Sequence, residues 1–377
     1  MRWTGRGLEG LLELGLHRRL PGSAPPFARE KVGRILVVRK DNIGDVLCTT
    51  PALRALRQAF PEAFLAILVS AHCRPVLKHN PDVDEVLVYR KAKHDQRRFG
   101  VPALWGLARV LRDLRARRFD LAIGLGRPCS RSSAWLAYAS GAPWRLGYPS
   151  PGLHPFPFFL NLTRDPGAMT SHEVDGCLEL VSSIGVSPAG RKLTLNPDPG
   201  AQAAIRSRLA REGVRDGAGL ALVHISSRRE ANRWPLASFA RAADLLRERF
   251  GLTIALSWAP GDAGNPLFPG DDGKAEEVAR CMQDRPILLA TPALDELIAA
   301  MSLSDFILSA DGGPVHIAAA LGIPQVALFG QAGLGTWAPV NEKSVVLKRG
   351  GRVDLIGVDE VVEAASAVMS RWGRGRP

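Results

Sequence analysis

The 377-residue sequence lacks the features of a membrane-spanning protein and of a secreted, disulfide-stabilised one. Its longest apolar stretch, Phe64–Ala71, is far shorter than the ~20 residues that a transmembrane helix needs. Glu9 and Glu13 interrupt the leucine-rich N-terminal stretch, so we expect no signal peptide. The five cysteines are scattered and form no Cys-x-x-Cys pair, which argues against a disulfide framework or structural zinc and favours a reducing cytoplasm.

Several motifs of nucleotide chemistry are also missing. There is no Gly-x-x-x-x-Gly-Lys-Ser/Thr phosphate loop, and Cys129 stands where a dinucleotide fingerprint starting at Gly124 would need its third glycine. This disfavours a nicotinamide oxidoreductase. His172-Glu173 has no second histidine four residues after the first, which excludes a zinc-protease helix. Only three tyrosines are available for base stacking and no binding motif accompanies the basic charge, so we expect no nucleic-acid partner.

The net charge of +12 is concentrated in two segments. Residues 1–34 carry +4 and residues 90–118 carry +8, so the rest of the chain is neutral. One interpretation is an anionic partner, either an acidic membrane surface or a phosphorylated substrate. The other is a solvated helix face, because leucines spaced three and four residues apart line the opposite side of the second segment.

Apolar runs of strand length alternate with segments of helical periodicity in both halves, which predicts an α/β fold of parallel sheets covered by helices. The expected strands are Ile35–Val38, Ala66–Val69, Glu85–Val88, Leu121–Gly124, Leu220–Ile225, Thr253–Ser257, Ile287–Leu289, Phe306–Ser309 and Gln325–Phe329. A Pro/Gly-rich linker separates the halves, so we predict two Rossmann-like, doubly wound domains facing a cleft. The expected divisions are a basic amphipathic extension (1–33), a first domain (34–187), a linker (188–200), a second domain (201–354) and a C-terminal helix (355–377) that packs back on the first domain.

Ligands of open α/β sheets bind outside the carboxyl ends of the strands, so the segments that follow strands are candidate sites. After the first strand, Gly44 allows a tight turn and Asp45 follows at the mouth of the expected cleft. Thr50 resembles a helix N-cap with Pro51 at the first helical position, so the helix is predicted to begin there. Capping would then not explain Asp45, which makes it a candidate functional carboxylate.

A second candidate joins a strand to a helix at residues 309–316. Gly312 and Gly313 let backbone N–H groups approach a ligand, and Pro314 begins a helix whose positive end faces the turn. Asp311 can accept hydrogen bonds from sugar hydroxyls, and His316 can donate one to a phosphate. The sequence therefore predicts an anion site here.

A third candidate, residues 224–235, carries hydroxyl and guanidinium groups ahead of a helix. Its arginines can neutralise a diphosphate without a metal, and the alternative is a solvated loop. The side chains expected to contact the ligand are Ser226, Ser227, Arg228 and Arg233. Asp262 follows the next strand but on spacing alone is no better than a turn residue.

Together these motifs resemble glycosyltransferase family 9, the heptosyltransferases of lipopolysaccharide core assembly. Residues 35–57 are similar to the family's opening strand, Gly-Asp turn and first helix. Residues 311–330 are similar to its Asp-Thr/Ser-Gly-x-x-His segment and the strand that follows, and residues 233–235, Arg-Trp-Pro, match a shorter motif. The similarity spans roughly residues 34–350.

The resemblance implies a glycosyltransferase B-type fold with the acceptor on the first domain and the nucleotide sugar, usually ADP-heptose, on the second. The reaction would be inverting and would need no metal or cofactor. Asp45 matches the family's general base and Asp311 the residue that holds donor-sugar hydroxyls. The remaining donor-binding positions that the resemblance implies are Ser226, Ser227, Asp262, Gly312, Gly313 and His316.

One position departs from the family pattern, because Asn232 stands where relatives carry a phosphate-binding lysine. Arg228 or Arg233 would then supply the positive charge. The basic segments suit a lipid-anchored anionic acceptor, which we expect Lys93, Arg97 and Arg98 to bind. The N-terminal extension would lie on the inner face of the inner membrane as a peripheral helix, or simply pack on the protein.

Two other functions remain open at this point. One is transfer of a different nucleotide sugar in capsule, O-antigen or glycolipid synthesis. The other is a non-catalytic nucleotide-sugar-binding homologue, which Asn232 favours and which the presence of Asp45 and Asp311 argues against.

Overall fold

The computed structural model describes residues 25–89, 101–149, 157–165, 171–215, 217–262, 264 and 270–373. Most of the expected N-terminal extension lies outside these residues. So do the three side chains expected to bind the acceptor, Lys93, Arg97 and Arg98.

The first domain is built on a six-stranded sheet. Its strands are β1 (Arg34–Val38), β2 (Phe64–Ser70), β3 (Glu85–Tyr89), β4 (Leu121–Gly124), β5 (Trp144–Gly147) and β6 (Leu162–Thr163). All neighbours pair in parallel, in the order β3-β2-β1-β4-β5-β6. The central strands are buried along nearly their whole length, because helices cover both faces of a parallel sheet.

The second domain repeats this plan. Its strands are β7 (Leu220–His224), β8 (Thr253–Trp258), β9 (Ile287–Ala290), β10 (Phe306–Ala310), β11 (Gln325–Phe329) and β12 (Ser344–Lys348). The order β12-β11-β10-β7-β8-β9 is the same winding as in the first sheet. In such sheets the ligand crevice opens where the winding reverses, here between β1 and β4 and between β7 and β10.

Twelve helices lie among the described residues. They are α1 (Ile43–Ala59), α2 (Arg74–Leu77), α3 (Val101–Ala116), α4 (Arg131–Ala139), α5 (Glu173–Ser182), α6 (Pro199–Arg211), α7 (Leu236–Phe250), α8 (Asp272–Cys281), α9 (Leu294–Ser302), α10 (Gly313–Leu321), α11 (Leu334–Trp337) and α12 (Val358–Trp372). No helix of this part of the chain is both long and apolar enough to cross a membrane.

The start of α1 corrects the sequence prediction. The helix begins at Ile43, capped by Asn42, and Pro51 lies inside it rather than at its first position. Proline removes one backbone donor from a helix interior. Here the Thr50 hydroxyl donates to the Leu47 carbonyl at 2.8 Å, the carbonyl that the missing N–H would have served. Thr50 therefore compensates for the proline and does not cap the helix.

Six further helices and strands were not predicted, among them the four-residue helices α2 and α11. The expected linker ends in α6, whose start carries a recognisable signal, since Asp198 accepts a hydrogen bond from the Ala201 N–H and Pro199 occupies the first turn. Strands β5, β6 and β12 were missed as well. They are edge or near-edge strands, and β6 has only two residues, so none shows a long apolar run.

The C-terminal helix α12 corrects another expectation. It packs against α7, β11 and β12 of the second domain rather than back on the first. Val361, Ala365 and Val368 belong to the hydrophobic core of the second sheet. The two domains contact each other elsewhere, through α1 and α10 and, less extensively, through α2 and α9, and one continuous apolar cluster extends across both.

Candidate functional site

The two strand-to-helix turns singled out from the sequence meet face to face. A Cβ atom placed on Gly44, in the first turn of α1, would lie 2.6 Å from Cδ2 of His316 in α10. A Cβ on Gly313 would lie 3.2 Å from Cβ of Ile43. Both glycines are therefore required by close approach of the two domains. The N-terminal ends of α1 and α10 form one site at the two crevices.

Two side-chain hydrogen bonds also cross between the domains. Arg228 donates from Nη2 to Oδ1 of Asn42 at 3.3 Å. Nδ1 of His172 accepts the Val174 N–H, so Nε2 carries the proton and donates to the Ala338 carbonyl at 2.8 Å. Together with the helix contact, these bonds hold the domains in a closed arrangement.

Asp45 occupies the third position of α1 and is held on both of its oxygens. Oδ2 accepts hydrogen bonds from the Asn42 backbone N–H at 3.0 Å and from its amide at 3.1 Å. Oδ1 accepts from Nη2 of Arg39 at 2.9 Å. The side chain keeps 15% of its surface exposed. Asp45 is thus a capping residue, contrary to the expectation from sequence, and also an accessible carboxylate facing the second domain.

Arg39 connects Asp45 to a second carboxylate. Its guanidinium is 1% exposed and donates to the Leu125 carbonyl at 2.6 Å and to Oε1 of Glu173 at 2.7 Å. Burial raises the pKa of Glu173, while the neighbouring Arg39 opposes that shift. Asp41 lies 3.5 Å from the Nε atom of the same arginine. The buried Arg39 guanidinium therefore lies within 3.5 Å of three carboxylates, those of Asp41, Asp45 and Glu173.

Asp311 lies at the carboxyl end of β10, on the opposite side of the site. Its backbone N–H donates to the Leu328 carbonyl at 2.8 Å. The Asn232 amide donates to its carboxylate at 3.0 Å and to its carbonyl at 3.1 Å. Asn232 is 3% exposed, so it fixes the Asp311 turn from beneath and does not project toward a ligand.

Positive charge near Asp311 comes from residues other than those predicted. Burial raises the pKa of Asp311, and the Asn232 hydrogen bond and the charges of Arg229 and Lys348 oppose the rise. Arg228 is bonded to Asn42, and Nε of Arg233 donates to the Ser227 carbonyl at 3.2 Å. Arg229 is exposed beside the turn, which makes it the arginine best placed to meet an anion there.

The remaining predicted side chains, Ser226, Ser227 and Asp262, each form a hydrogen bond with a backbone group. Oγ of Ser226 accepts the Ala259 N–H at 2.9 Å, which ties the ends of β7 and β8 together. The Ser227 hydroxyl donates to the Arg229 carbonyl at 3.3 Å. Asp262 is exposed and accepts the Gly264 N–H at 2.8 Å, as an aspartate in a turn does.

His316 is a contact residue between the domains. It is 4% exposed, its ring lies edge-on to Trp337 at 6.3 Å between centroids, and Nδ1 has no hydrogen-bond partner. Burial lowers the pKa of His316 to about 4, and the nearby His172 lowers it further while Asp45 opposes the shift. At neutral pH the ring is therefore uncharged.

Sequence reasoning missed Arg39, Glu173, Arg229 and Lys348. A charged residue directly after an apolar strand is a signal for Arg39, because the carboxyl end of a central strand is a site position. No sequence signal links Arg39 to Glu173, which lies 134 residues away. No group of three or more histidine, cysteine or acidic side chains that would suit a metal ion occurs among the described residues.

The contact at Gly44 predicts the effect of a single methyl group. Gly44→Ala would place that methyl against the His316 ring, and overpacking of this kind costs about 1–3 kcal/mol. We expect α1 and α10 to separate, with a larger radius of gyration in small-angle X-ray scattering. Gly273→Ala in α8 is the matched control, since a Cβ there meets nothing within 4 Å. An unchanged radius for Gly44→Ala would show that the contact is not maintained in solution.

The buried histidine predicts a pH dependence of stability. An unfolded chain protonates this ring near its usual pKa of 6.5, but the folded chain does so only near pH 4. Between these values the unfolded state binds more protons, so the free energy of unfolding falls as the pH falls. Between pH 7 and pH 5, the free energy of unfolding measured in urea titrations should fall by about 2 kcal/mol less for His316→Gln than for the parent. His72→Gln, which changes an exposed histidine, is the control. If the free energy of unfolding falls equally for all three proteins, His316 is not the source of the pH dependence.

Known proteins share this architecture. The glycosyltransferase family 9 protein from Veillonella parvula DSM 2008 superposes with a TM-score of 0.77 at 24% identity, covering 90% of this chain and 97% of that one. The Escherichia coli heptosyltransferase WaaC with ADP gives 0.71 at 20% identity, covering 89% and 99%. Lipopolysaccharide heptosyltransferase 2 of Escherichia coli (strain K12) is 26% identical over 333 residues, or 84% of this chain and 88% of that protein.

These likenesses confirm the predicted fold, in which two Rossmann-like domains form a glycosyltransferase B-type arrangement. The model of glycosyltransferase family 9 (heptosyltransferase) matches residues 107–353, well over half of the chain. The protein is therefore a glycosyltransferase that belongs to glycosyltransferase family 9.

Proposed function

We propose that the protein transfers heptose from ADP-heptose to an anionic glycolipid acceptor of the lipopolysaccharide core, with inversion and without a metal ion. The observation that carries this proposal is the position of Asp45, an accessible carboxylate of the first domain that follows Gly44, the residue in contact with His316 of the second domain. The family membership and the names of the relatives support the choice of heptose. The structure of WaaC with ADP supports the choice of nucleotide.

Asp45 would act as the general base. A hydroxyl of the acceptor is a poor nucleophile until a base accepts its proton. Arg39 and Asn42 hold the two carboxylate oxygens, so the base does not have to be oriented when the acceptor arrives. Because Asp45 belongs to the domain opposite the donor site, the acceptor would attack from the face away from the diphosphate. Attack from that face inverts the anomeric centre in one step.

The second domain would stabilise the departing diphosphate. The N-terminus of α10 presents backbone N–H groups and the positive end of the helix. Arg229 and Lys348 add positive charge beside the same turn, and Arg228 lies at the domain boundary. Negative charge that accumulates on the leaving group would thus be met without a metal. Asp311 would hold hydroxyls of the transferred sugar.

The structure gives Asn232 a role compatible with activity. Its amide is buried beneath Asp311 and fixes the turn, and a Cβ at Gly330 would lie 2.6 Å from its Oδ1, so the pocket admits little else. The missing lysine therefore does not leave the site without a cation. This weakens the case for a non-catalytic homologue, while transfer of a different sugar in another glycolipid or capsule pathway remains the second candidate.

Replacement of the proposed base gives the primary test. Asp45→Asn keeps an oxygen that can accept the Asn42 N–H but has little capacity to accept a proton. We expect transfer from ADP-heptose to fall by about 10²–10⁴-fold, as for loss of a general base. ADP binding, measured by calorimetry, should stay unchanged.

The control for this variant is Asp359→Asn, which alters an exposed carboxylate in the first turn of α12. It should transfer at the parental rate. Turnover by Asp45→Asn close to that rate would remove Asp45 from the role of base.

The charge of Arg229 gives a prediction for the donor. Arg229→Met keeps the side-chain length but removes the charge beside Asp311, so ADP affinity should fall about tenfold at low salt and by less at high salt. The exposed Arg241→Met on α7 is the control. Calorimetry with ADP, UDP, GDP and CDP should rank ADP first. Parental ADP affinity in Arg229→Met would show that the charge comes from another residue.

A further inference from the structure

The arginine that holds the proposed base presents a chemical difficulty. A cation beside a carboxylate favours the ionised form and so weakens that group as a proton acceptor. Arg39 is 1% exposed, and a buried charge interacts more strongly than an exposed one. An exclusive pair between Arg39 and Asp45 would give a well-oriented but poor base.

Glu173 competes with Asp45 for the Arg39 guanidinium. The same Nη2 atom of Arg39 donates to Oδ1 of Asp45 at 2.9 Å and to Oε1 of Glu173 at 2.7 Å. The two carboxylates therefore share one hydrogen-bonding nitrogen, and their oxygens lie within about 5.6 Å of each other. The Glu173 side chain is 6% exposed and that of Asp45 is 15% exposed, so only Asp45 is open to an acceptor.

We propose that Glu173 is a positioning residue for the transfer reaction: by sharing the Arg39 guanidinium, it anchors the arginine that orients Asp45 and preserves the basicity of that carboxylate. The proposal rests on the proton-accepting role proposed above for Asp45. A second negative charge on the shared cation favours the arrival of a proton on the accessible partner. Glu173 occupies the first position of α5, so the packing of α5 against α1 determines where this charge lies.

The other titratable groups around the pair do not supply this charge. Cys48, Cys73 and Cys177 stay protonated, because burial raises the pKa of the last two to about 12 and that of Cys48 well above its usual value. His316, from α10, is neutral at working pH.

The charged neighbours are Arg127 and Asp41. Arg127 lies near Glu173 and donates to the Ser171 hydroxyl at 2.6 Å and to the Ser171 carbonyl at 2.5 Å. Asp41 lies 3.5 Å from Nε of Arg39, and its side chain is 37% exposed. Glu173 is thus the buried carboxylate that shares the nitrogen of Arg39 with Asp45. Burial raises the pKa of Glu173, and the charge and hydrogen bond of Arg39 oppose that rise and favour the ionised form.

The test is the pH dependence of the transfer rate in Glu173→Gln. The amide is isosteric and its oxygen can still accept from Arg39, so the geometry is kept while the charge is lost. We expect the acid limb of the profile to move by about one pH unit toward lower pH and the plateau rate to fall about three- to tenfold. ADP affinity should remain at the parental value, while thermal unfolding should stay cooperative at a lower temperature, because a buried ion-pair partner is lost.

Three variants accompany it. Glu179→Gln removes an exposed charge from the same helix and should change nothing. Glu173→Asp keeps the charge and should keep the position of the acid limb. Glu173→Met removes the charge with an apolar side chain. It should move the acid limb of the pH–rate profile to lower pH by the same amount as Glu173→Gln, and it replaces that variant if Glu173→Gln does not fold.

Two outcomes would overturn distinct claims. If Asp45→Asn is inactive but the acid limb of both charge-removing variants stays at the parental pH, Glu173 has only a structural role and this proposal fails. If Asp45→Asn is active, the proposed function of Asp45 fails, whatever the Glu173 variants show.

Discussion

The site depends on bringing the positive ends of two helices together across a cleft. Helix α1 presents its N-terminus from the first domain and α10 from the second, and Gly44 and Gly313 allow them to touch. Like helix ends repel each other unless negative charge lies between them. Asp45 supplies that charge for α1. No side-chain hydrogen bond caps the N-terminus of α10, so its positive end would suit the diphosphate of the proposed donor.

Much of the fold follows from the sequence because central parallel strands are uninterrupted apolar runs. β4 and β11 begin and end where the pattern places them, and the other predicted strands differ by one or two residues at their ends. The start of α1 could not be read in this way. Thr50 and Pro51 carry the local signal of a helix start, but Asn42 and Asp45 form a capping box whose N-cap lies about two turns earlier. Local signals compete, and only the packed structure selects between them.

The candidate site, like the fold, could be predicted from the sequence only in part. Asp45 and Asp311 follow strands that flank the winding reversals of the two sheets, so topology alone places them at the crevices. The charges around them depend on contacts between distant segments. Asn232 is a buried support for Asp311, Arg229 is the nearby cation, and Glu173 reaches Arg39 from another helix. Side-chain direction after a loop is not encoded in spacing, so the sequence pointed to Arg228 and Arg233 and gave no signal for Arg229 beside Asp311.

Burial also sets the strength of these interactions. The contact between Gly44 and the His316 ring brings the two helix ends together, and Arg39 and Glu173 are buried within the first domain. Buried charges are screened less by solvent than exposed ones. In the proposed reaction, a base held by an arginine would be a weak proton acceptor and a leaving diphosphate would carry uncompensated charge, unless each met a group of opposite sign. Glu173 would balance Arg39 on one side, and Arg229 with Lys348 would meet the diphosphate on the other.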